Sequence, residues 1–173
     1  MTQKALRLGF LALLLACFGA SGVATAAGAG KNCSALGTWV NVYPDTHVLA
    51  GWLATADGQS SDEGTMTLES PGFDMTLYGM FPTAVGGTGD RGVWKRSGRN
   101  TFKYSFIGTA VDSSGAIVWI RKISGTITMI DDCQTEKITA VMAVYGPTDN
   151  PFEGTPSYEF DLGDLYARRF ALP

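Results

Sequence analysis

The chain has 173 residues, 45% of them hydrophobic and 17% charged, with a formal net charge of −3. That length suits one domain with a substantial core. The acidic balance, with no basic stripe, excludes electrostatic docking on nucleic acid or on anionic lipid.

Lys4 and Arg7 precede an uncharged run from Leu8 to Gly30 that is richest in leucine between Leu8 and Leu15 and then passes through Ala24-Thr25-Ala26. A positive start, a short apolar middle and a small-x-small site form an export signal. The expected organisation is a signal peptide over residues 1–26 and one domain over residues 27–173. Two processing routes stay open. A signal peptidase would cut after Ala26 or Ala27. Alternatively, Leu14-Leu15-Ala16-Cys17 resembles a bacterial lipobox, which makes Cys17 a candidate lipidation site and Phe18 to Gly30 a tether. An uncleaved membrane helix is the weakest reading, because a span needs about 20 strongly apolar residues and Gly19 to Gly30 is mostly small. The expected location is periplasmic, extracellular or lipid-anchored in the cell envelope, with membrane contact only through such an anchor.

Losing Lys4 and Arg7 with the leader takes the formal charge from −3 to −5. Three cysteines become two, Cys33 and Cys133. Two cysteines in an exported chain are expected to form a disulfide. The bridge would close a loop of about 100 residues, worth roughly 4–5 kcal/mol in the chain-entropy model. Two buried thiols are the alternative. A zinc site is not expected, since His47 is the only histidine and no second Cys/His pair exists.

From Leu36 onward, short runs of Val, Ile, Thr, Tyr, Phe and Trp are punctuated by Gly, Asp, Asn and Ser, which is a β pattern. Strands are predicted over Leu36–Tyr43, Val48–Ala54, Gly64–Glu69, Phe73–Met80, Gly92–Arg96, Thr101–Ala110, Ala116–Ile130, Glu136–Tyr145 and Leu165–Leu172. Ser97-Gly98-Arg99-Asn100 and Asp112-Ser113-Ser114-Gly115 read as tight turns, because Asp and Ser bond local backbone and Gly supplies positive φ. Gly86-Gly87-Thr88-Gly89 reads as a mobile loop. The segment from Gly146 to Gly163 is long for a hairpin and reads as a lid or partner surface, held down by Phe152, Tyr158 and Phe160.

Alternation assigns faces. Phe102, Tyr104 and Phe106 share one, as do Ile117, Trp119, Arg121 and Ile123, then Ile138, Ala140, Met142 and Val144, and also Phe73, Met75 and Leu77. Strands apolar on one face and mixed on the other suit a sheet curled around its own interior. The predicted fold is all-β: a single antiparallel up-and-down barrel of about eight strands, with a β-sandwich as the alternative. An immunoglobulin-type sandwich would place a Trp between its cysteines, and Trp52, Trp94 and Trp119 do lie between Cys33 and Cys133. An outer-membrane barrel is disfavoured, because several strands are shorter than the roughly 9–11 residues it needs.

Gly37-Thr38-Trp39 resembles the Gly-x-Trp at the head of the first strand in calycins, the lipocalin and avidin group of barrels. Arg168-Arg169 falls in the last strand, where lipocalin-like barrels place an Arg over that Trp. The resemblance implies that Trp39 with Arg168 or Arg169 closes the barrel floor. The stretch from Gly92-Val93-Trp94 through Gly125 is also similar to a domain of uncharacterised exported bacterial proteins. Calycin membership implies a barrel that often carries a small apolar molecule, and fold by itself does not settle which.

Motifs for chemistry are sparse. No Gly-x-Ser-x-Gly elbow occurs, His47 sits in a proline-containing loop, and no phosphate-cradling loop precedes a helix. The carboxylates of Asp62-Glu63, Asp131-Asp132 and Asp161–Asp164 read as turn caps or solvated loops. No cofactor is called for. Candidate ligand-binding residues are Met75, Leu77, Phe102, Tyr104, Phe106, Trp119, Arg121, Ile123 and Met142, with Arg121 or Tyr104 as polar anchor in an apolar pocket. The first functional expectation is an exported barrel that binds a small hydrophobic molecule or an envelope partner. The second is a structural or interaction protein of the envelope with a filled barrel. The third is a barrel isomerase or cyclase.

Overall fold

Among the described residues, nine antiparallel strands follow in chain order: β1 (Gly37–Val42), β2 (Leu49–Asp57), β3 (Glu63–Glu69), β4 (Gly86–Gly87), β5 (Asp90–Arg96), β6 (Thr101–Val111), β7 (Ile117–Ile130), β8 (Thr135–Tyr145) and β9 (Tyr158–Phe170). The structure is a computed structural model that describes residues 32–43, 49–69 and 80–170. The export signal, Cys17, His47, Met75, Leu77 and nearly all of the strand predicted over Phe73–Met80 lie outside the described residues.

Eight of the strands close into a barrel in the order β6-β5-β3-β2-β1-β9-β8-β7, with β7 pairing back onto β6. That closure excludes the sandwich. The two-residue β4 lies against β6 just beyond the end of β5, pairing Gly86 with Val111 and Gly87 with Ala110. The glycine run expected to be a loop is therefore partly strand. Thr88 N–H also donates to the Thr109 carbonyl at 2.9 Å.

The turn chemistry follows the sequence. Asp112 Oδ1 accepts from the Ser114 N–H at 2.8 Å and the Ala116 N–H at 3.0 Å, while Gly115 takes φ of 84°. Ser97 and Gly98 N–H groups both donate to the Thr101 carbonyl. Between β7 and β8, Asp131, Asp132 and Cys133 form a 3₁₀ turn with all three at positive φ. Such a run in non-glycine residues is costly and needs support from its surroundings. Cys133 has that support, being bonded to Cys33 with Cα atoms 5.3 Å apart and both residues buried. A disulfide of this kind persists in oxidising compartments. Among the described residues no helix is long and apolar enough to cross a membrane.

β9 begins at Tyr158, well before the predicted Leu165. A register shift opposite β8, between Thr139 and Val141, accompanies Gly163 at φ of 68°. This bulge changes the parity of the strand. Phe160 and Leu162 meet the core before it, and Leu165 and Ala167 after it. The long connection thus shrinks to residues 146–157, and the aromatic anchors expected for a lid do not hold it down. Phe152 is 76% exposed, with the Lys122 ammonium 6.0 Å from its ring centre. Tyr158 and Phe160 belong to the strand.

Candidate functional site

Three layers fill the barrel. At the end where the chain enters, Trp39 is buried, and its indole N–H donates to the Ala35 carbonyl at 2.8 Å. The Arg169 guanidinium lies 4.3 Å from the Trp39 ring centre. It donates to the carbonyls of Leu36, of Ser34 at 2.8 Å and of Cys133 at 3.3 Å. A Cβ on Gly37 would sit 2.8 Å from Arg169 Nη1, and Gly37 has φ of 124°, so glycine is needed there. Arg168, paired with Val40, is exposed and takes no part. A second arginine that sequence reasoning missed, Arg96, knots the same end. It lies 4.6 Å over the Phe102 ring, bonds the Cys33 carbonyl at 2.7 Å and pairs with Asp62 at 2.6 Å. The Arg96 hydrogen bond and charge hold the Asp62 carboxyl below the usual carboxylate range.

At the opposite end, Trp119 is buried under Phe81, whose ring centre is 6.0 Å away. Arg121, expected as a polar anchor for a ligand, is instead held by Asp90 in a buried ion pair of 2.9 Å. Gly108 of β6 lies between them. A Cβ there would come within 2.0 Å of Asp90 Oδ1 and 3.4 Å of Arg121 Nε.

Between these layers is a cavity of about 30 Å³. Its walls include Met66, Leu68, Phe106, Ile123 and Ala140, and its partly exposed members are Trp52, Leu162 and Leu165. Of the residues singled out in the sequence, Tyr104, Phe106 and Ile123 line it. Phe102, Trp119, Arg121 and Met142 are buried elsewhere in the interior.

Two polar groups reach this cavity. Tyr104 O–H donates to the Thr139 carbonyl at 3.4 Å. Burial, and then the nearby Glu136 charge, push its phenol above the ordinary tyrosine value. Glu136 is 1% exposed, and its Oε1 has no hydrogen-bond partner. Burial drives the Glu136 carboxyl well above the usual carboxylate range, and the Arg169 charge offsets this only in part. The favoured form is the neutral acid, which can donate as well as accept. Sequence reasoning missed Glu136, although a signal existed. Counting back by two from Ile138 places it on the inward face of β8. The same count from Trp94 places Asp90 inside.

Among the described residues, the acidic groups other than Glu136 and Asp90 lie at or near the surface. Lys95 pairs with Glu63 at 3.3 Å and Lys137 with Asp164 at 2.7 Å. Among the described residues no three His, Cys, Asp or Glu side chains gather to hold a metal ion. Neither known protein-family models nor curated proteins give a match to this chain.

Proposed function

We propose that this is an exported, calycin-like barrel that acts by binding, and that its ligand is a small, slender apolar molecule. The observation that carries the reading is the Glu136 carboxyl, buried with one oxygen unpartnered at an apolar cavity. A buried polar atom without a partner costs about 1–3 kcal/mol, so a site that keeps one gains from filling it. The cavity volume limits the occupant. Pockets for drug-sized ligands run from about 300 Å³ upward, an order of magnitude larger.

The same volume favours a second reading, an envelope protein with a filled barrel that works through its outer surface. Native mass spectrometry of protein purified from its own host separates the two. Binding predicts a retained small molecule, released on unfolding. A bare polypeptide mass under gentle ionisation favours the filled barrel. The same spectrum reads the N-terminal mass, which differs between cleavage near Ala26 and lipidation of Cys17.

A further inference from the structure

The chemistry of the cavity lining narrows the ligand class. We infer that the site takes a chain-like apolar molecule ending in a neutral hydroxyl or carbonyl, and that it rejects a carboxylate of the same length; this rests on the binding reading above. The walls are apolar, and the unpartnered Glu136 Oε1 is the hydrogen-bonding atom left unused. A neutral head group that meets this oxygen, or the proton on its carboxyl, relieves the unmet bond without bringing charge into the interior.

An anionic head finds no described cation in the interior whose hydrogen bonds are uncommitted, and the Arg169 charge, which does act on Glu136, offsets the effect of burial only in part. Arg169 is the cation nearest in kind, and its guanidinium already serves three backbone carbonyls and the Trp39 ring. Arg121 is held by Asp90 at 2.9 Å. A carboxylate head would have to carry its charge into the apolar interior or take up a proton that it gives up in neutral solution, and both cost binding. Tyr104 O–H is turned to the Thr139 carbonyl at 3.4 Å, so while that bond holds its oxygen can only accept from a ligand. The small free volume accommodates the head group, so the chain must leave past the partly exposed Trp52, Leu162 and Leu165. Trp52 therefore reports on occupancy.

The test is calorimetric titration of the full domain with dodecanol, dodecanoate and dodecyl methyl ketone at neutral pH, on the native protein and on Glu136→Gln and Glu136→Leu, with circular dichroism confirming each fold. The alcohol and the ketone should bind, with dodecanoate weaker by at least about tenfold, the worth of one unmet buried hydrogen bond. Glu136→Gln, which keeps a neutral donor and acceptor, should stay within a few-fold of the native protein. Glu136→Leu should lose about tenfold for the alcohol. Dodecanoate binding as tightly as dodecanol, or Glu136→Leu binding dodecanol undiminished, would overturn the inference while leaving an apolar carrier in place. No binding by any of the three probes, together with a bare native mass, would overturn the carrier reading and the inference with it.

Discussion

Glu136 is the residue whose environment departs furthest from what its chemistry prefers. Its folded-state pKa is raised, so between the ordinary glutamate value of about 4.3 and the raised value the folded protein holds a proton that the unfolded chain has released. Stability must then fall as pH rises through that window, by up to about 1.4 kcal/mol per pH unit. The titratable groups facing it, Tyr104 from β6 and Arg169 from β9, keep one charge state between pH 4 and 8. Glu136→Gln removes the linkage. Its melting temperature should therefore gain on that of the native protein as the pH is raised from 4 to 8, and parallel curves would show that the carboxyl is hydrated in solution. Trp39 is a different case, an apolar side chain with its one polar atom satisfied. Truncating it to Ala should cost about 3–5 kcal/mol in urea unfolding, and a near-neutral result would remove it from the barrel floor.

Strands were legible in the sequence wherever parity ran unbroken. On β6, β7 and β8 the alternation of Phe102, Tyr104 and Phe106, of Trp119, Arg121 and Ile123, and of Ile138 to Val144 matches the buried face, whereas Ile117, expected on the same face, is 43% exposed beyond the register shift at Ala110 and Val111. The first half of β9 was not legible, because Asp161 and Asp164 read as loop and the bulge at Gly163 changes the parity between them. The Asp90–Arg121 pair was hidden for another reason. Its members sit on β5 and β7, and only the closed sheet brings them together across β6. The glycine that lets them meet gives an element-scale prediction. Gly108→Ala forces Asp90 off its partner, and breaking a buried ion pair costs about 3–5 kcal/mol. Gly86→Ala on the neighbouring β4 is the control, since its Cβ would approach nothing closer than Val111 Cγ2 at 4.0 Å. Urea midpoints should separate the two variants clearly, and equal midpoints would mean that β6 shifts to accept the methyl group.

At the scale of the whole molecule, closure depends on joining the first strand to the last. Among the described residues that ladder is short, four pairs from Thr38 with Phe170 to Asn41 with Ala167. The Trp39–Arg169 stack lies in the same ladder. The disulfide acts beside it, tying the segment before β1 to the turn that opens β8, and β8 pairs directly with β9. With 100 residues between its ends, the bridge is worth roughly 4–5 kcal/mol through the unfolded chain. Domains of this size hold about 5–15 kcal/mol in total, so the bridge is a large share. The Cys33→Ser/Cys133→Ser double variant should therefore show a much lower urea midpoint than the oxidised protein. Reductant should act slowly on the native protein, because both cysteines are buried, and should reach the same lowered midpoint only after cycles of unfolding. An unchanged midpoint in the double variant would show that the β1–β9 ladder and the Trp39–Arg169 stack close the barrel without it.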